Sequence, residues 1–122
     1  MKKDKYDVVV VGAGSGGLNV ASFFARLRMR VLLIDKREES IGGDCLNAGC
    51  VPSKALIHTA RTIKTAKDSA SYGYTITGEL DFKKVMDEVK KKQDYIRTHE
   101  NSDYLRSKGM DVSIGEAFFV SP

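Results

Sequence analysis

Two short runs of aliphatic and β-branched residues, Tyr6–Val11 and Val31–Ile34, enclose a helical stretch and predict an α/β fold on a parallel sheet. A glycine cluster separates the first run from the helix, and Asp35 closes the second run. Strand, helix and strand within about 30 residues make a βαβ unit, whose crossover is almost always right-handed. The chain has 122 residues, room for one domain and not for two.

Each element follows from its local pattern. Tyr6-Asp7-Val8-Val9-Val10-Val11 reads as a strand buried on both faces, as in a parallel sheet. Leu18, Ala21, Ser22 and Ala25 line one side of a helix from Leu18 to Leu27, backed by Val20, Phe24 and Leu27. Val31-Leu32-Leu33-Ile34 is the second buried strand. Ser40 to Cys50 holds three glycines and the turn-tolerant Asn47, so it reads as mostly irregular. Pro52 suits a first helical turn, and the helix it opens or continues is expected to reach about Ala70. A polar connection over Tyr72–Gly78 leads to Phe82, Val85, Met86, Val89 and Ile96, whose spacing predicts a helix over Asp81–Thr98. A shorter helix over Ser102–Ser107 stops at Gly109. Asp111–Val120 reads as a strand interrupted at Gly115.

Composition removes several function classes. Hydrophobic residues are 42% and charged residues 30%, a globular balance that argues against a wholly disordered chain. No apolar run approaches the roughly 20 residues of a membrane helix. Lys2 and Lys3 imitate the start of a secretory signal, but Asp4 and Asp7 interrupt it and no apolar stretch of adequate length follows. The net charge of +4 is mild, and its densest run, Lys90-Lys91-Lys92, reads as a solvated helix face. Nucleic-acid binding calls for more clustering, with aromatics placed to stack. The expectation is a protein with neither nucleic-acid nor membrane partners, and a cytoplasmic one.

The glycine cluster carries the first chemical signal. Gly12-Ala13-Gly14-Ser15-Gly16-Gly17 fits G-x-G-x-x-G between a strand and a helix. In that pattern Gly12 allows the tight turn, Gly14 lets backbone approach a pyrophosphate, and Gly17 lets helix and strand pack closely. The helix start then faces the phosphates with free N–H groups and partial positive charge. Asp35, about 20 residues on, stands where an acid accepts hydrogen bonds from ribose hydroxyls. A plain glycine turn, with Asp35 as a turn residue in Asp35-Lys36-Arg37-Glu38-Glu39, is the bland alternative; strand, helix and acid together favour dinucleotide binding in a Rossmann-like unit. The loop does not separate NAD from FAD.

Only two cysteines occur, Cys45 and Cys50. A disulfide needs Cα atoms about 4.4 to 6.8 Å apart, whereas residues five apart in a regular helix lie roughly 8 to 9 Å apart. A bridge between them therefore needs a distorted turn, which Gly49 can supply. Pro52 places Cys50 at the mouth of the next helix, where the dipole is expected to lower the thiol pKa. Two inert core thiols remain an alternative. His58 and His99, the only histidines, give no zinc spacing with the pair and read as surface or packing residues, so no metal site is assigned. Soft-metal capture by two thiolates stays open on ligand chemistry alone.

Together, the glycine loop, the acid ending the second strand and Gly42-Gly43-Asp44-Cys45-Leu46-Asn47-Ala48-Gly49-Cys50-Val51-Pro52-Ser53-Lys54 resemble the class I flavoprotein disulfide reductases. That family includes dihydrolipoamide dehydrogenase, mercuric reductase and glutathione reductase. The resemblance implies that the first loop holds FAD and that NAD(P)H uses a second loop further on. It implies that Cys45 exchanges with substrate, that Cys50 lies against the flavin as the charge-transfer thiolate, and that Lys54 sits near the ring. Gly12, Gly14, Gly17, Asp35, Lys36, Gly43, Asp44 and Lys54 are then the cofactor-binding candidates, with Cys45 and Cys50 the catalytic pair. Ser53, where other members carry a second lysine, favours the lipoamide and mercuric branches. Asp44 departs from the common threonine, and Asp35 from the common glutamate.

Family members are several times longer. The resemblance therefore implies that residues 1–122 form the N-terminal part of the FAD domain, with the NAD(P)H and dimerisation domains absent. The parent is expected to be a homodimeric oxidoreductase that moves electrons between NAD(P)H, FAD, the Cys45–Cys50 disulfide and a small dithiol/disulfide or lipoyl-protein substrate such as dihydrolipoamide. The chain alone is expected to show no pyridine-nucleotide-dependent turnover and to bind FAD weakly or not at all. A mercuric or glutathione reductase-like member, or a non-catalytic nucleotide-binding module that senses redox state, are the other readings.

Overall fold

The computed structural model describes residues 6–121. Three parallel strands, β1 (Val8–Val11), β2 (Val31–Asp35) and β3 (Asp111–Ile114), lie in the order β1-β2-β3. Val8 pairs with Val31 and Val11 with Ile34, while Leu32 pairs with Asp111 and Asp35 with Ile114. Parallel pairing requires a crossover between successive strands. Helix α1 (Ser15–Arg26) makes the first; α2 (Gly43–Asn47), α3 (Cys50–Asp68), α4 (Phe82–Arg97) and α5 (Ser102–Ser107) lie within the second.

The core sits between the sheet and the helices next to it. Val31 and Leu33 of β2 are fully buried with Ala21 of α1, Leu105 of α5, Met110 and Val112. Burying an aliphatic side chain of that size stabilises a fold by about 1.5 to 3 kcal/mol. Alternation along β2, with Val31 and Leu33 inward, fixes its register, because a one-residue slip would turn both outward. Leu46 of α2 and Val89 of α4 are buried away from that cluster, where α2, α3 and α4 meet.

Three expectations need correction. β1 is not buried on both faces: Val8 and Val10 pack against the core, while Val9 and Val11 are exposed on the opposite face, which the described residues leave open. The stretch Ser40–Cys50 is not mostly irregular, since Gly43–Asn47 is helical. Its glycines and asparagine depress helix propensity, but bonds from elsewhere in the chain hold it, as described below. Pro52 continues a helix as expected: α3 starts at Cys50, the proline lies in its first turn, and a 3-10 turn over Ser69–Tyr72 follows Asp68. The last strand stops at Ile114, where Gly115 takes φ +157, and Phe118, Phe119 and Val120 are exposed without regular structure.

Other boundaries agree with the sequence. Asp81 caps α4 by accepting a hydrogen bond from the Lys84 amide, and Asn101 caps α5 through the Tyr104 amide. No helix among the described residues is long and apolar enough to cross a membrane.

Candidate redox and dinucleotide site

The glycine loop is shaped by backbone contacts that leave little choice of residue. Gly12 turns the chain at φ +99, and its amide donates to Ile34 O at 2.7 Å. A Cβ on Gly17 would fall within the carbonyl oxygen of Gly12, 3.0 Å from the carbonyl carbon and 3.3 Å from Val10 Cγ1. Only glycine lets α1 start this close to β1. No side chain caps α1 and its first turn carries no acid, so the opening amides and their partial positive charge remain available to a ligand. This narrow, uncapped cradle fits the pyrophosphate of a dinucleotide such as FAD.

Asp35 faces the loop from the end of β2. Its Oδ2 accepts the Ala13 amide at 2.6 Å, and its Oδ1 accepts the Ser40 hydroxyl and, at a longer 3.5 Å, the Arg37 amide. Partial burial pushes this carboxyl up, but the Ser40 hydroxyl and the amides of Ala13, Arg37 and Lys36 outweigh it, so its pKa is lowered. A carboxylate offers about four lone-pair sites, so beside these four donors a ribose hydroxyl would take the place of a weak one such as the Arg37 amide at 3.5 Å. Lys36, a cofactor-binding candidate, is paired with Glu116 at the exposed surface.

The dithiol segment is docked on the back of the same loop. Gly42 donates its amide to Ala13 O at 2.8 Å. A Cβ on Gly43, at φ +59, would sit 2.7 Å from Gly14 Cα, so two glycine backbones touch where the segments cross. Ala13 thus bonds Asp35 through its N–H and the dithiol segment through its C=O. Asp44 follows in the first turn of α2, exposed, where an acid complements the helix start.

Cys45 is half-buried in α2 and Cys50 is exposed as the first residue of α3; both are free thiols. Between them the chain turns sharply, with the amides of Ala48 and Gly49 both donating to Asp44 O. A Cβ on Gly49 would lie 2.9 Å from that oxygen, so the tight turn assigned to Gly49 is present. The expectation of a lowered Cys50 pKa is overturned. Hydrogen bonding with Cys45, together with its charge, pushes the Cys50 thiol up, and this outweighs the lowering by its own backbone and by Lys54. Lys54 is exposed one turn along α3 from Cys50.

Sequence reasoning missed the residues that hold α2. Gln93 Nε2 donates to Leu46 O at 2.9 Å and Asn47 O at 3.1 Å, and Arg97 Nη2 donates to Asn47 Oδ1 at 3.0 Å. One signal was available: Gln93 is a polar residue one turn beyond Val89 on the inward stripe of α4. A polar side chain there must find partners, and it finds α2.

Comparison with known proteins agrees with this geometry. The model of the family described as pyridine nucleotide-disulphide oxidoreductase matches residues 6–117. The chain belongs to this family. A dihydrolipoyl dehydrogenase of Bacillus subtilis is 35% identical over 120 residues, covering 97% of this chain and 24% of the relative. One from Thermus scotoductus is 42% identical over 80 residues, covering 66% of this chain and 17% of the relative. Among solved structures, the HOCl-induced flavoprotein disulfide reductase RclA from Escherichia coli superposes with a TM-score of 0.72 at 28% identity, covering 94% of this chain and 23% of that one. The chain thus spans about a quarter or less of these relatives' length. It is an α/β, Rossmann-like unit of a flavoprotein oxidoreductase family, with dihydrolipoyl dehydrogenases among its relatives.

Proposed function

We propose that this chain supplies the FAD-anchoring loop and the redox dithiol of an oxidoreductase of the dihydrolipoamide dehydrogenase type. In that reading a homodimeric parent moves electrons between NAD(P)H, FAD, the Cys45–Cys50 pair and a small dithiol or lipoyl-protein substrate. The observation that carries it is the docking of the dithiol segment on the glycine loop, through the Gly42–Ala13 hydrogen bond and the Gly43–Gly14 contact.

Gly12, Gly14 and Gly17 would hold the pyrophosphate with the opening amides of α1, and Asp35 would take a ribose hydroxyl. Bound FAD supplies two-electron redox chemistry that no side chain provides. Cys45 and Cys50 do the sulfur chemistry. A substrate thiolate attacks Cys45 in the disulfide, the Cys45–Cys50 bond breaks, and Cys50 leaves as a thiolate. The second substrate thiol, on losing its proton, displaces Cys45; the substrate becomes a disulfide and the pair holds two electrons. Lys54, one turn along α3, favours the Cys50 thiolate as it leaves.

The test is thiol chemistry on the chain itself. Treated with glutathione disulfide, it is expected to lose two hydrogens and form an intramolecular Cys45–Cys50 bond, which dihydrolipoamide then reduces. Peptide mass mapping reads the bond. Stable mixed disulfides with glutathione at both cysteines, and no internal bond, would contradict the reading.

A further inference from the structure

Helix α2 is five residues long, and its terminal carbonyls have no partners within so short a helix. The chain satisfies them from a distance. The two N–H groups of one Gln93 amide reach Leu46 O and Asn47 O across 47 and 46 residues of sequence. Asn47 spans the helix with its own side chain, donating to Gly43 O at 2.9 Å and Ile41 O at 3.3 Å. Its Oδ1 accepts from Arg97, whose Nη1 also donates to Glu39 O at 3.4 Å. Gln93 and Arg97 are successive turns of α4, anchored one turn earlier by the buried Val89. The same helix packs along α3, which begins at Cys50. One rigid element therefore holds the helix that carries each cysteine.

We propose that Gln93 and Arg97 are positioning residues for the dithiol: by clamping the C-terminal end of α2 they fix Cys45 against Cys50 and set how readily the pair closes to a disulfide. This rests on reading Cys45 and Cys50 as a redox pair. Cys45 lies one residue before the first clamped carbonyl, that of Leu46, whose side chain is buried. Closure converts two thiols into one S–S bond, releasing two protons and two electrons; glutathione disulfide takes them up as two glutathione molecules. Freedom at the end of α2 would be lost again on closure, which disfavours the disulfide.

The experiment measures the equilibrium constant for disulfide formation in glutathione redox buffers on the full chain. Gln93→Leu is expected to lower it about fivefold to tenfold, a tenfold change corresponding to about 30 mV for this two-electron couple. Gln93→Lys keeps a donor for the two carbonyls and is expected to restore it to within about twofold. Arg97→Met, which loses one bond to the Asn47 side chain and a longer one to Glu39 O, is expected to move it in the same direction by less. Leu105→Ala, in the core cluster away from α2, is expected to lower stability to urea while leaving the constant unchanged, because a purely structural loss weakens both redox forms alike. Equal constants for Gln93→Leu, Arg97→Met and wild type, or an equal shift in Leu105→Ala, would overturn the positioning role. A wild-type chain that forms no Cys45–Cys50 bond in any buffer would instead overturn the underlying redox-pair reading.

Discussion

The two glycines at positions 16 and 17 stand side by side in the first turn of α1, yet substitution by alanine should move stability in opposite directions. Helix propensity alone favours alanine over glycine by about 1 kcal/mol in a helix interior, and by less near an end. Around Gly16 a Cβ meets nothing within 4 Å, so Gly16→Ala should gain a few tenths to about 1 kcal/mol. At Gly17 the added carbon overlaps Gly12 O and approaches Val10 Cγ1 at 3.3 Å. Both obstacles belong to β1 and its turn, not to the end of a flexible side chain, so α1 must shift away from the strand. Overpacking of this kind costs about 1 to 3 kcal/mol or more, which leaves Gly17→Ala less stable by about 2 kcal/mol. Urea unfolding followed by circular dichroism reads the difference. With a slope of about 1 to 3 kcal/mol per molar, the midpoint should fall by about 1 M. If Gly17→Ala proved as stable as Gly16→Ala, the close approach of α1 to the glycine loop would be refuted.

Two further outcomes follow from titrating groups. The Asp35 carboxyl is held below its ordinary pKa, so its contribution is fully present above about pH 4 and is lost as pH falls through the depressed folded value. Asp35→Asn should therefore cost about 1 kcal/mol at neutral pH, with the gap to wild type closing under acid, as read by urea midpoints across pH; a gap that widens in acid would contradict the assignment. The neighbouring sulfur is the leading reason the Cys50 thiol is raised, so Cys45→Ser should move the pH profile of Cys50 alkylation by iodoacetamide to lower pH. An unchanged or higher profile would mean that the two sulfurs do not interact.

The parts legible in the sequence are those whose signal is local. Val31-Leu32-Leu33-Ile34 announces a buried strand as a short continuous apolar run, and the glycine loop announces its turn because no other residue tolerates the contacts at Gly17. The helices expected over Asp81–Thr98 and Ser102–Ser107 run over Phe82–Arg97 and Ser102–Ser107 in the structure. Helix α2 was illegible for the converse reason. Gly43 and Asn47 argue against a helix locally, and what forms it, buried Leu46 and the amide of Gln93, lies in tertiary contact. The length of the last strand failed in a similar way. Phe118, Phe119 and Val120 have β-forming side chains but no neighbouring strand to pair with among the described residues. The thiol pair was visible in spacing, whereas the direction of the Cys50 shift depended on how close Cys45 stands, which spacing does not give.

On the proposed reading, one small unit presents a phosphate-binding loop and a dithiol to the same flavin nucleotide. Heteronuclear NMR of the reduced chain during an FAD titration tests it most directly, since even weak binding moves amide resonances. The amides of residues 14–17 and those of Cys45 and Cys50 are expected to shift along a single binding curve, while AMP moves the loop and leaves the cysteines still. Shifts confined to the loop, or cysteine shifts on a different curve, would contradict it.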